Sequence, residues 1–411
     1  MSNSKPILKF GLLASLYITQ FLPIAFFYQT LPVYLRQQGV SLASIGLVNL
    51  VTLPWMLKFL WAPLVDRYGW TRWGHYKTWI IAMQTLLAIT LIGCAALDVR
   101  VDFPVLMVGF LLVCTFAATQ DIATDALAIG FLTKSERGIG NGIQTAGGYL
   151  GFILGGGVML ILLDGLGWTK SLMILALTML LALIPVLWHK ERKIHHQAPL
   201  PRTYFQTIAD FFRRSGMRQW LLIVMVYPIG DSMASSMFRP LLVDLQFSLT
   251  EIGWILGIVG LGAGVIGAIV AGFVIKPLGR KRSLIIFGLL QAIAIGVCLL
   301  PAIGLRQLPI IYLASISAAF THSLAVTALF TAMMDRSHLD TAGTDYTIQT
   351  AAYVIGHMGI PAVSGLIAGA IGYISLFALS IGICLMSVGL VAKKIPAQSG
   401  QDERSRMPVK G

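Results

Sequence analysis

Ser41-Leu-Ala-Ser-Ile-Gly46 and Ser248-Leu-Thr-Glu-Ile-Gly253 are two versions of one hexapeptide, 207 positions apart, each leading into a long apolar run. Ile143-Gln-Thr-Ala146 returns as Ile348-Gln-Thr-Ala351 at an offset of 205, and Leu64-Val-Asp-Arg-Tyr-Gly69 has a counterpart in Val274-Ile-Lys-Pro-Leu-Gly-Arg-Lys-Arg282, with Gly69 and Gly279 separated by 210. Three matches in the same order, at nearly constant offset, make the chain a tandem repeat of two halves.

The runs that these motifs punctuate are long enough to cross a bilayer, which takes about 20 apolar residues in a helix. Twelve are found, with cores near 9–35, 44–65, 77–97, 103–132, 138–163, 168–188, 219–245, 251–276, 283–303, 308–334, 342–369 and 370–393. Ile285-Ile-Phe-Gly-Leu-Leu290 does not alternate apolar with polar residues, so the spans are helices and not the strands of a membrane barrel. The first run has no small-residue cleavage site and is read as a retained helix. Of the 411 residues, 56% are hydrophobic and 11% charged, which excludes a water-soluble enzyme or nucleic-acid binder, since their surfaces need about 25% charge. The net charge of +13 is distributed over short gaps and reads as an orientation signal, with no nucleic acid as partner. Cys94, Cys114, Cys298 and Cys384 all fall inside apolar runs, so neither a disulfide nor a metal site is expected.

With both termini placed in the cytoplasm, the inner segments hold 24 of the 30 Lys and Arg and the outer loops only Arg36, Arg100, Lys170 and Arg306. The chain thus divides into a six-helix bundle (1–188), a cytoplasmic linker (189–218), a second six-helix bundle (219–396) and a polar tail (397–411). Within the linker, Tyr204, Phe205, Ile208, Phe211 and Phe212 recur at helical spacing, predicting an amphipathic helix on the inner membrane surface with Arg213, Arg214 and Arg218 facing anionic lipid. His195-His196 is read as solvated linker, because adjacent residues do not share a face.

Parallel six-helix repeats place a solute site near the midplane between the bundles, and polar side chains tolerated inside the spans mark it. Asp121 and Asp125, four residues apart on the fourth span, share a helix face, where two close carboxylates cannot both ionise easily. They are the candidate proton-coupling pair, with Asp231 as a third member. On the seventh span Asp231, Ser232, Ser235, Ser236 and Arg239 form a polar face beside Tyr227 and Phe238, suited to an anionic solute. Lys58, inside the second span, needs a carboxylate, and Asp121 is its natural partner. Gln20 is placed in the same cavity. Tyr346, Gln349, Tyr353 and His357 make a polar stripe along the eleventh span, and His322 on the tenth is a candidate proton relay. Gly147, Gly151 and Gly155 read as a packing and sliding face.

Asp66-Arg67-Tyr68-Gly69, with the basic counterpart Gly279-Arg280-Lys281-Arg282, resembles the cytoplasmic loop signature of the major facilitator superfamily. Within that superfamily, Lys58-Phe-Leu-Trp-Ala-Pro-Leu-Val-Asp-Arg-Tyr68, Thr119-Gln-Asp-Ile-Ala-Thr-Asp125, Glu136-Arg-Gly138 and Gly230-Asp231 resemble the AmpG-type permeases and their acetyl-coenzyme A transporter relatives. The muropeptide permeases often carry two further C-terminal helices. This chain stops after twelve and in that compactness resembles the siderophore importers for rhizobactin and pyochelin. The resemblance implies an all-α membrane protein that imports a small amphiphilic anion with protons by alternating access, with no cofactor. A bacterial inner-membrane monomer is expected, a siderophore is the preferred solute, and a muropeptide or acetyl-coenzyme A is the alternative. Asp66, Arg67, Gly69, Gly279, Arg280, Lys281 and Arg282 are then expected to form a cytoplasmic gate. An intramembrane enzyme built on Asp121 and Asp125 is the rival class, and it is disfavoured because catalysis has no need of the two-fold repeat. An ATP-driven pump is excluded by the missing phosphate-binding loop.

Overall fold

In the bilayer every backbone polar group must find its partner within the chain, and for apolar runs of this length the helix is the solution. The structure, a computed structural model, describes residues 6–40, 49–69, 73–191 and 204–395. Among them nine helical runs are long and apolar enough to cross a membrane. Two of these, Arg137–Trp188 and Leu339–Lys394, with 52 and 56 residues, are far longer than one crossing requires. Each is broken by a glycine with the same positive φ, Gly167 (φ 78°) and Gly372 (φ 78°), so each supplies two spans. The two hinges are 205 residues apart, the offset of the Ile-Gln-Thr-Ala repeat. The second span, 49–67, is a series of short helical turns interrupted at Lys58 and Trp61. Its upstream Ser41–Gly46 motif, His195-His196 and the 397–411 tail lie outside the described residues.

Spans one to twelve are therefore Ile7–Gln37, 49–67, His75–Ala95, Phe103–Phe131, 137–166, 168–188, Met217–Asp244, Thr250–Leu278, Arg280–Ala302, Leu308–Asp335, 342–371 and 373–394. The ends bearing residues 66–77, 133–137, 276–282 and the linker are called the basic face. The turn before the ninth helix uses Gly279 at φ 77°, and the turn before the third uses Gly74 at φ 118°. Gly74, 205 positions before Gly279, is thus its positional equivalent. Gly69 has a different duty, since a Cβ there would meet the His75 ring at 2.3 Å.

Helices one and five approach closely along a glycine face. A Cβ on Gly151 would meet Ile18 O at 2.9 Å, and one on Gly155 would meet Leu22 O at 2.3 Å. That stripe therefore locks the first half internally. The contact between halves on helix five lies nearer the basic face, where Gly138 and Gly142 abut Gly272 and Ala268 of helix eight.

The apolar core divides in a way that defines the conformation. One cluster, at the basic face, draws residues from both halves, among them Leu13, Tyr17, Ile122, Ile275, Leu324 and Tyr346. Toward the opposite face there are two clusters, one wholly from the first half (Phe26, Phe110, Trp168) and one wholly from the second (Met233, Phe238, Phe377). The halves are joined at the basic ends and separate beyond them.

The linker helix, Tyr204–Arg213, does not simply lie on lipid. Phe211 is fully buried in the shared core, and Arg214 turns inward to grip Asp345 with both guanidinium nitrogens, one bond at 3.1 Å. Arg213 and Arg218 remain exposed.

Candidate functional site

The seal between the halves is built from polar contacts laid over that shared core. Asp66, buried at the end of the second helix, accepts from the backbone N–H of Gly343 (2.9 Å) and Thr344 (2.7 Å), from Thr344 Oγ1 (2.6 Å), and from Tyr76 OH (2.9 Å). The first turn of helix eleven has backbone N–H groups without helical partners, and a carboxylate there also opposes the helix dipole. Asp66 thereby caps a helix of the other half. Arg137 donates to Asp335 Oδ1 (2.9 Å) and to Met334 O (2.9 Å), and Arg280 donates to Asp335 Oδ2 (2.7 Å) and to Lys134 O (2.6 Å). Asp335 thus gathers one arginine from each half. Deeper in, Tyr346 OH donates to Gln144 (3.3 Å), Thr327 to Thr145 (3.1 Å) and Ser323 to Tyr149 OH (2.9 Å).

This arrangement corrects the expected gate. Asp66 binds the start of helix eleven instead of the 279–282 cluster, because free N–H donors converge there. Within that cluster only Arg280 takes part. Lys281 and Arg282 form no ion pair among the described residues, and Arg67 lies against the Tyr68 ring. Arg137, Asp335 and Thr344 complete the seal, while Asp345 ties helix eleven to Arg214 of the linker. Arg137 lay within a motif already singled out, but no spacing ties it to Asp335, 198 residues away.

In the first half the intramembrane charges are closed upon one another. Lys58 is ion-paired with Asp121, each side chain 4% exposed, and Gln20 donates its amide to the same carboxylate. Trp55 places its ring against the ammonium, 4.7 Å from the centroid. Asp125, one turn on, accepts from Tyr17 OH (3.0 Å) and Gln144 Nε2 (3.1 Å). The two carboxylates share a helix face as expected, and both accept from helix one, but Asp121 is ion-paired with Lys58 of helix two while Asp125 accepts from Gln144 of helix five.

The second half is open where the first is closed. A cavity of about 430 Å³ is lined by Asp231, Ser235, Phe238 and Arg239 of helix seven, His322 of helix ten, His357 of helix eleven and Tyr149 from the other half. His322 Nδ1 meets Asp231 Oδ2 at 2.5 Å, and His357 Nδ1 meets Ser232 Oγ at 2.5 Å. The two imidazoles are 5.7 Å apart, and Tyr353 stacks behind His357 at 5.4 Å. Acid, base and hydroxyl groups thereby line one chamber.

Besides Gln20 and Lys58, which are committed to Asp121, three residues of the second half expected at the site are engaged elsewhere. Tyr227 OH donates to Leu284 O (2.8 Å) between helices seven and nine. Tyr346 belongs to the seal. Gln349 accepts from Trp220 Nε1 (2.6 Å) and donates to Ser337 Oγ (3.1 Å), near the linker. The helix-eleven stripe is thus shared among three environments, since the 11 steps from Tyr346 to His357 span about 16 Å of depth. Tyr149 is the cavity residue that sequence reasoning missed. Its aromatic type inside a span looks like ordinary packing.

Comparison with known proteins adds an independent line. Residues 9–166 match the family model "Acetyl-coenzyme A transporter 1", and residues 220–408 match "Major Facilitator Superfamily". An uncharacterized protein of Haemophilus influenzae is 31% identical over 375 residues, covering 87% of each chain. The anhydromuropeptide permease of Escherichia coli K12 is 27% identical over 366 residues, 88% of this chain and 74% of the permease. Among solved structures, a fucose transporter in the outward conformation superimposes with a TM-score of 0.73 at 16% identity, covering 97% of this chain and 100% of the other. A human organic anion transporter gives 0.68 at 17% identity over 94% and 98%. At those identities the likeness is one of fold.

Proposed function

Because the chain belongs to the major facilitator superfamily, and within it to the group of AmpG and acetyl-coenzyme A transporters, we propose that it carries a muropeptide-type solute inward across a bacterial inner membrane, coupled to protons. The multi-pass, helical secondary transporter is the frame, and the solute, the coupling and the sidedness are the reading. The observation that carries it is the polar chamber of Asp231, His322, Ser235 and Arg239 standing above a sealed basic face. The excess of Lys and Arg on that face argues for placing it in the cytoplasm. The chamber then opens to the periplasm, where a solute to be imported arrives.

The muropeptide replaces the siderophore as the preferred solute, because a permease named for it aligns with 88% of the chain. Proton coupling is assigned first to Asp231 with His322, which line the chamber, and second to Asp125, which forms no ion pair among the described residues. Asp121 ranks third, since Lys58 neutralises it. Uptake of radiolabelled anhydromuropeptide into cells lacking the gene and into complemented cells tests the reading, with a protonophore in a parallel arm. Accumulation restored by the gene and collapsed by the protonophore is expected. Complemented cells that take up no more label than the deletion strain refute the solute, and accumulation that survives the protonophore refutes the coupling.

A further inference from the structure

Arg239 has no counter-ion among the described residues. The two carboxylates nearest to it on helix seven are both engaged, Asp231 by His322 (2.5 Å) and Asp244 by Tyr373 OH (2.7 Å). Among the described residues no hydrogen bond or ion pair reaches the guanidinium, and the side chain is exposed. It stands where two hollows meet. One is the chamber described above. The other, of about 510 Å³, lies between helices seven and eleven and is lined by Ser232, Ser235, Ser236, Arg239, Val243, His357 and Pro361. Ser235, Arg239 and His357 belong to both.

The chemistry around Arg239 is that of an oxyanion receptor. The guanidinium offers a planar fork of donors. Ser235 is exposed one helical turn before it, on the same face of the helix. His357 has Nδ1 held by Ser232 and its ring backed by Tyr353, which fixes the direction of the remaining Nε2. Val243, Pro240 and Pro361 give the hollow dry walls, and reduced hydration strengthens any charge-assisted bond made there. We propose that Arg239, Ser235 and His357 form a subsite for a carboxylate of the solute, with the uncharged part of the solute lying in the Tyr149 and Phe238 chamber. This deepens the transport reading above and rests on it for the solute, while the subsite has its own test. It also divides labour within the cavity, with Asp231 and His322 left to the proton and Arg239 to the anion.

The experiment uses the purified full chain in nanodiscs and intrinsic tryptophan fluorescence. Two probes are titrated, an anhydromuropeptide with its carboxylates free and the same compound with them converted to carboxamides; acetate and inorganic phosphate form a third arm. For the wild type the free acid should bind about 10- to 100-fold more tightly than the amide, as expected for a lost charge-assisted fork. Arg239→Gln should abolish that preference while leaving affinity for the amide unchanged, Arg239→Lys should restore part of it, and His357→Gln should reduce it. Because Arg239 has no hydrogen-bond or ion-pair partner among the described residues, its replacement should leave the melting temperature unchanged. Equal binding of acid and amide, or an Arg239→Gln loss that strikes both probes alike, overturns the subsite and leaves the transport reading standing. If neither muropeptide binds but acetate or phosphate does so saturably and only with Arg239 present, the subsite stands and the solute reading falls. Absence of binding in all three arms overturns the subsite.

Discussion

Replacing Asp66 by Asn should loosen the seal by an amount that can be worked from its bonds. The carboxylate accepts four hydrogen bonds, two at each oxygen, and three of them come from the first turn of helix eleven. Asparagine keeps one carbonyl oxygen and turns an NH₂ group toward donors. Rotation of the Thr344 or Tyr76 hydroxyl recovers part of the loss, but a backbone N–H cannot turn round. With charged-group bonds contributing about 1.5–3 kcal/mol each, the sealed state loses about 2–3 kcal/mol relative to the state in which helix eleven has moved away. At about 1.4 kcal/mol per factor of ten, the equilibrium shifts roughly 30- to 150-fold toward opening at the basic face. Spin labels at Ser135 and Arg282, both exposed and on opposite halves, read this by pulsed electron–electron distance measurement in nanodiscs. The wild type should give one short distance and Asp66→Asn a second, longer population. Thr344→Val, which removes only the hydroxyl bond, should give an intermediate ratio. A distance distribution unchanged in Asp66→Asn refutes the capping argument, and equal loss of solute binding and transport relocates Asp66 to the site.

Three further outcomes follow from the packing. Lys58→Met and Asp121→Asn should each lower stability by about 3–5 kcal/mol, because each leaves a buried charge alone, and the double variant should recover most of the loss; thermal melts in which the double variant is as unstable as the sum of the singles would remove the pairing argument. Gly356→Ala places a Cβ 1.9 Å from Met225 O, whereas Gly369→Ala meets nothing within 4 Å, so melting should separate the two by several degrees, and equal values contradict the close approach of helices seven and eleven. Asp231→Asn should abolish accumulation against a gradient while sparing solute exchange between the two faces, and accumulation at the wild-type level in vesicles would move the coupling site elsewhere.

The twelve crossings could be read from the sequence because an apolar run of fixed length has one fate in a bilayer. The repeat was readable because three short motifs return in the same order at nearly constant offset, two of them, Ile143-Gln-Thr-Ala146 and Ile348-Gln-Thr-Ala351, at matching places in helices five and eleven. Gly74 was nonetheless passed over in favour of Gly69, since a lone glycine does not disclose the sign of its φ. Lys58 pointed to Asp121 because an isolated ammonium in a span demands a carboxylate and few are present. The seal could not be read in the same way. Half of what Asp66 holds is backbone N–H, which has no letter in the sequence, and Arg137 meets Asp335 only after two bundles have folded and docked. The Asp121 and Asp125 dyad was inferred from one helix alone. A helix face fixes which side chains lie together, but the neighbouring helices decide what each of them touches.

Those neighbours make the two halves unequal despite their common ancestry of form. In the first half Lys58, Asp121, Gln20 and Trp55 engage one another, and Asp125 is held by Tyr17 and Gln144. The second half has a carboxylate, Asp231, bound to the His322 ring and an arginine, Arg239, with no ion pair among the described residues. A solute entering from the open face therefore meets its charged partners on helices seven, ten and eleven. Helix eleven is also the element whose first turn Asp66 caps. His357 and Gly343 stand on the same continuous helix, Ala342–Met358, about 21 Å apart along its axis. On the proposed reading, an anion held between Arg239 and His357 would bear on the same helix whose other end Asp66 caps. Solute binding and release of the basic face would then be linked through one helix with two attachments, as alternating access requires.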